Sequence, residues 1–399
     1  MSRQVTTIAS TLSVSGEGVT LEADGRVFRF DAAGRLTRVF DGQRVSYRGL
    51  DNTVVEKWWA DVSDAGESVR IRRSRQVDPA ERDRLLETAY ETARESLRPA
   101  LDQRAGYEPA ERESVRRVLR QSPEALAEGG DVATSVYDPV GVLPPDQYKT
   151  VVVQTALGCP YDCSFCTLYG ETDLDVRRPV DVERHVAAVK SFFGRGLRSR
   201  TGIFLGDADP LAAPFETLRE SLDVIASELP SRYAEGIHSF LTARTAARTD
   251  PDTFERLADR GLERVYVGVE SGSDEVLDLL RKPQTRAEVT QGIERVSAAG
   301  IGVGVILLAG VGGRALADTH VETTADLVGS LPLAPADIVY VSPLAVGDTD
   351  DYQERMRDRS LSSLSEAAIA RQSARLRARL DDVTPARVSR YQVSDFVYF

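Results

Sequence analysis

The chain is poor in sulfur and in imidazole: of its 399 residues, three are cysteine, two methionine and three histidine. An odd count of three cysteines makes a poor disulfide framework, so the sequence does not read as a stapled secreted domain. Long apolar runs are missing as well. No stretch approaches the roughly 20 residues that cross a bilayer, and the opening MSRQVTTIAS has no basic segment followed by an apolar one. These absences predict a cytoplasmic protein without a membrane span. Lysine is scarce, with Lys57, Lys149, Lys190 and Lys282 among 50 basic residues, and 62 acidic residues bring the net charge to -12. Such a surface repels a phosphate backbone on average, which argues against a nucleic-acid partner. What remains, 42% hydrophobic and 28% charged, is ordinary for a globular protein with a substantial core.

Four regions are expected. Residues 1–60 alternate short β-rich runs with turn signals at Gly25, Gly34 and Gly42 and read as an antiparallel meander. Residues 61–145 read as a helical segment and linker. Asp78-Pro79 starts a helix that puts Leu85, Leu86, Ala89, Tyr90, Ala93 and Leu97 on one face, and further helices begin near Pro109 and Pro123. The proline-rich stretch Tyr137 to Tyr148 follows as linker. Residues 146–345 carry six apolar runs, TVVVQ, TGIFLG, IHSFL, RVYVGVE, VGVILLAG and DIVYVSP, separated by amphipathic helical stretches. Val182, Val186, Val189 and Phe193 form one helical stripe; Phe215, Leu218, Leu222, Ile225 and Leu229 form another. Strand and helix in alternation predict an α/β parallel sheet, either doubly wound or a partial barrel, with ligands at the carboxyl ends of the strands. Residues 346–399 are expected to be a helical extension.

All three cysteines, Cys159, Cys163 and Cys166, fall in QTALGCPYDCSFCTLYG, the loop after the first strand of this region. Thiolates are the soft ligands that iron–sulfur clusters require. Three of them leave one iron of a cubane without a protein ligand, open to a substrate or cofactor. A zinc site would need a fourth ligand, and His185, His238 and His320 are all distant from the loop in sequence.

The spacing Cys159-x3-Cys163-x2-Cys166, with Phe165 before the last cysteine, resembles the radical S-adenosylmethionine (SAM) superfamily, and the likeness runs from about Lys149 to about Pro343. It implies a partial (β/α)6 TIM-like barrel holding one [4Fe-4S] cluster on the three cysteines, with SAM chelating the fourth iron and a deoxyadenosyl radical abstracting hydrogen from a substrate. It also implies SAM contacts. Gly206-Asp207-Ala208-Asp209 stands where the family has a glycine-glycine-glutamate turn, which makes Gly206, Asp207 and Asp209 candidates. VYVGVESGSDEVLDLLRKP resembles the segment that adds Glu270, Ser271 and Arg281, and Val303 to Gly313 resembles the glycine-containing strand beside the adenine. Within the superfamily, IFLGDADPL, RVYVGVESGSDEVL and RYQVSDFVYF are similar to the branch that holds the Elongator catalytic subunit and coproporphyrinogen dehydrogenase (HemN-like). Those dehydrogenases carry a cysteine two positions after the third ligand, where this chain has Leu168, so porphyrinogen decarboxylation is not expected.

The resulting expectation is an oxidoreductase or transferase acting on a small or medium-sized organic substrate, served by a low-potential electron donor of flavodoxin or ferredoxin type. Modification of a tRNA or protein by the same chemistry is the second reading. A noncatalytic iron–sulfur sensor or scaffold is the third. The meander is expected to dock on the barrel through Trp58 and Trp59 and to select the substrate.

Overall fold

The computed structural model describes residues 3–6, 10–64, 66–102, 107–169, 173–345, 350–393 and 396–399. The start of the meander, Gly170 in the cysteine segment, the first residues of the C-terminal extension and Ser394–Asp395 lie outside the described residues.

The meander is an eight-stranded antiparallel sheet in chain order, and it runs on to Gln76. Its hairpin Gly18–Ala23 to Arg26–Asp31 turns on Asp24 and Gly25, both at positive φ, which is the geometry a two-residue turn needs. The last hairpin, Val54–Asp64 to Glu67–Gln76, exceeds the expected limit at residue 60 because ESVRIRRSRQ is too rich in arginine to read as a strand. Alternating Leu12, Val14, Val19, Leu21, Phe28 and Phe30 form one buried face. The helix Pro79–Asp102 covers it with Leu86, Ala89, Tyr90, Ala93 and Leu97, while the helices Pro109–Arg120 and Pro123–Val136 supply Val115, Val118 and Leu126. This half therefore has its own core.

The second half is a parallel sheet of seven strands: Val151–Gln154, Ile203–Gly206, Ile237–Leu241, Leu262–Glu270, Gly302–Ala309, Ile338–Pro343 and Arg387–Arg390. Their order in the sheet is their order in the chain. A doubly wound sheet reverses direction at a switch point, and none occurs here. Successive right-handed crossovers in one direction instead curl the sheet into an open barrel with helices outside. The seventh strand departs from the expected helical extension. After the helices Asp350–Asp358 and Glu366–Val383, the short polar Arg387–Arg390 pairs parallel to the sixth strand, and four polar-flanked residues give little signal of this in the sequence.

The first strand is left with one unpaired edge, which side chains satisfy. Val152 N–H donates to the Tyr398 hydroxyl (3.0 Å), the Tyr137 hydroxyl donates to Val152 O (3.1 Å), and Gln154 N–H donates to His185 Nε2 (3.1 Å). Burial holds His185 neutral, with its pKa lowered to about 4. At the amino ends of the strands, Asp146 accepts from the hydroxyls of Tyr266 (2.5 Å) and Tyr340 (2.8 Å) and plugs the base. The carboxyl edge is the remaining end.

Candidate active site

The cysteine loop leaves the first strand at that edge. Asp207, at the end of the second strand, holds its start by accepting from Gly158 N–H, and also bonds the Gln154 side chain. Burial raises the Asp207 carboxyl to about 6 despite those bonds. Ser164 pins the middle of the loop: its N–H donates to Leu280 O (2.9 Å) and its hydroxyl to Leu279 O (3.1 Å). The three cysteines are thereby half-buried beside the helix Asp274–Leu279.

The fourth strand makes a register shift between Gly268 and Glu270, and Glu270 adopts a left-handed φ of 61°. That conformation costs an ordinary residue on the order of 1–2 kcal/mol. It accompanies a carboxylate whose Oε1 lies 3.0 Å from Lys282 Nζ, in a pair with side-chain exposures of 7% and 11%. Burial alone lowers the Lys282 pKa, but Glu270 and the thiols of Cys163 and Cys159 more than offset it, so the ammonium stays charged. Lys282 also lies 6.0 Å from the centroid of Phe165, which packs on the apolar cluster of Val276, Leu279, Leu308 and Leu344. Gly268 makes room for the pair, since a Cβ there would sit 2.5 Å from Glu270 Oε1 and 2.9 Å from Lys282 Nζ.

Asp209 is fully buried. Its Oδ2 accepts from Thr242 (2.7 Å) and Thr245 (2.6 Å), whereas its Oδ1 is buried without a partner. Burial raises its pKa to about 6. Gly206 precedes it on the second strand, where a Cβ would press on Val152 and Gln154 at 3.3 and 3.4 Å.

Cys159, Cys163, Phe165, Asp209 and Glu270 thus gather round Lys282, whose charge acts on both thiols and on Asp209. Two expected residues do not join them. The Ser271 hydroxyl is committed to His320 Nδ1 (2.8 Å), whose Nε2–H donates to Leu308 O, and burial keeps this histidine neutral with a pKa near 4. Ser271 therefore fastens the strand to the helix Gly313–Ser330. Arg281 is 40% exposed, pairs with Asp162 at 3.0 Å and with Asp351, and braces the cysteine loop from outside. The motif points to Arg281, whereas its neighbour Lys282 is the one placed beside the thiols, and the scarcity of lysine is its one signal in the sequence.

The donor set suits an iron–sulfur cubane. Burial raises the Cys159 thiol and pushes Cys163 up to about 11 while Lys282 pulls both down, so a bound cation would take these sulfurs as thiolates and release their protons. Among the described residues no three such side chains converge as they would round a single metal ion. A cubane distributes its thiolates over separate irons.

Comparison with known proteins agrees with this chemistry. Residues 153–328 match the Radical SAM superfamily. This segment is a radical SAM domain, of a family that works with a [4Fe-4S] cluster and SAM. The chain is 26% identical over 167 residues to the anaerobic magnesium-protoporphyrin IX monomethyl ester cyclase of Cereibacter sphaeroides, a match that covers 42% of this chain and 25% of that protein. It therefore spans a quarter of the relative's length. Among solved structures, coproporphyrinogen III oxidase (HemN) from Escherichia coli is similar with a TM-score of 0.47 and 16% identity, over 64% of this chain and 56% of that one. A radical SAM methyltransferase from Sphaerobacter thermophilus has a TM-score of 0.42 and 16% identity, over 89% and 76%. No helix among the described residues is long and apolar enough to cross a membrane.

Proposed function

We propose that the protein is an enzyme of the HemN-like branch that binds one cluster on Cys159, Cys163 and Cys166 and acts on an organic molecule of small or medium size. The observation that carries this is the placement of all three cysteines in one anchored loop, beside a buried Lys282–Glu270 pair. When bound, cluster and SAM supply reductive cleavage of a carbon–sulfur bond and hydrogen abstraction. This chain's residues do the rest. The turn Gly206 to Asp209 takes up the SAM ammonium, with Asp209 fastening it through Thr242 and Thr245; Glu270 is the carboxylate at the edge, and Lys282 balances the negative charge of the thiolates. Gly206 lets the backbone of its turn approach closely. The electron donor is expected to be of flavodoxin or ferredoxin type.

Anaerobic reconstitution tests the reading. About four irons per chain are expected, together with release of deoxyadenosine and methionine from SAM under reduction, and Cys163→Ala should lose both. Cleavage by that variant would remove the ligand assignment. An iron-loaded protein that never cleaves SAM would instead favour the sensor or scaffold reading.

A further inference from the structure

The hairpin Val54–Gln76 lies along the open side of the barrel, packed on the helix Glu366–Val383. Asp64 accepts from Ser365 and pairs with Arg371 at 3.1 Å, and Arg73 is bidentate to Glu366. Between hairpin and barrel lies a cavity of about 530 Å³. It extends from Leu344 and Ala345, just past the sixth strand, to Pro145 and Tyr148 before the first. That volume falls within the range of small-molecule sites.

Two features of its lining stand out. One wall is aromatic: Tyr47 and Phe399 have ring centroids 5.3 Å apart, and Tyr148 lies 5.5 Å from Phe396 and 6.0 Å from Phe399. Trp59 adds a ring that is 45% exposed, with the guanidiniums of Arg70 and Arg390 at 5.9 and 5.8 Å from it. The charge is also inverted relative to the molecule. Five basic side chains, Lys57, Arg70, Arg72, Arg73 and Arg390, line the cavity against one acidic side chain, Glu366, in a protein with 62 acidic and 50 basic residues. Glu366 is spent on Arg73, and among the described residues no carboxylate lies within ion-pair distance of Arg70, Arg72 or Arg390.

We propose that this seam binds an organic anion with a planar, apolar body, which stacks on the aromatic wall while its acidic groups meet Arg70, Arg72 and Arg390. Stacking and cation–π contacts suit a flat conjugated ligand, and a local cationic field in an acidic protein draws in an anion that the rest of the surface repels. This rests on the functional reading above, for which it supplies the substrate class. The link is Leu344, which lines the cavity and belongs to the same apolar cluster that Phe165 packs against, next to Cys166. Trp59 is thereby a specificity residue. Trp58, also expected at the interface, instead stacks with Arg44 on the sheet.

The test uses the full chain and two dyes of similar ring system, anilinonaphthalene sulfonate, which is anionic, and phenylnaphthylamine, which is neutral. The anionic dye should bind saturably at one site. The triple change Arg70→Gln, Arg72→Gln and Arg390→Gln should weaken it by about tenfold or more, leave the neutral dye within about twofold, and leave iron content and substrate-free SAM cleavage as in the parent. Trp59→Ala should weaken both dyes. Equal affinity of the triple variant and parent for the anionic dye overturns the proposal, and so does an equal loss for the neutral dye. Absence of SAM cleavage in the parent would sink the functional reading alone, because the dye result does not depend on it.

Discussion

Lys282 Nζ lies 3.0 Å from Glu270 Oε1 at the carboxyl edge of the barrel, and the two charges are held out of water together. Removing one partner of such a pair strands the other. Glu270→Ala should therefore cost roughly 3 to 5 kcal/mol of stability, whereas Glu270→Ala with Lys282→Met should cost distinctly less. Anaerobic thermal melts of the two single variants and the double variant measure the coupling. Purely additive losses would mean that the side chains do not depend on each other.

Gly268 tests the same pair without altering a charge. An added Cβ would sit 2.5 Å from Glu270 Oε1 and 2.9 Å from Lys282 Nζ, so the pair must shift or separate to admit it. Gly268→Ala should destabilise by about 1 to 3 kcal/mol, as overpacked sites do, and should lower SAM affinity in a calorimetric titration. A melt indistinguishable from the parent's would place the pair elsewhere.

Asp209 should give a pH signature. Its folded pKa of about 6 is above the ordinary carboxyl value, so the stability it lends is complete below the unfolded value of 3.8 and is lost as pH rises through 6. At pH 8 the buried charge costs on the order of 3 kcal/mol at most. Asp209→Asn can still accept from Thr242 and Thr245. It should melt higher than the parent near pH 8, show little difference near pH 4, and bind SAM more weakly. An identical Tm difference at both pH values would refute the assignment.

His320 runs the other way. Burial lowers its pKa from 6.5 to about 4, so its contribution is present above 6.5 and fades as pH falls through 4. The stability gap between the parent and His320→Gln should narrow on acidification from pH 7.5 to 4.5. A gap independent of pH would mean that the imidazole is not held neutral.

The six buried strands and the helical stripes were legible because apolar runs and helical periodicity are local properties: Val182, Val186, Val189 and Phe193 are all buried where the pattern put them. The cysteine loop was legible from spacing. Three features were not. Glu67–Gln76 and Arg387–Arg390 are strands stabilised by their neighbours, not by their own composition, which is half arginine in RVSR. The roles of Ser271, Arg281 and Lys282 depend on which way consecutive side chains turn after a register shift and a left-handed Arg281, and motif order does not encode that. The doubly wound alternative was open until strand order excluded it.

The side chains that seal the first strand bear on how the chain is made. Val152 and the Tyr398 hydroxyl that bonds its N–H are 246 residues apart in the chain. At a synthesis rate of about 5–20 residues per second, the strand waits on the order of tens of seconds for this partner. Leu50 N–H, which donates to Tyr398 O at 2.7 Å, waits longer still. During that interval the nascent barrel shows an open β-edge on the ribosome, and that edge is where a chaperone or a second nascent copy would pair with it.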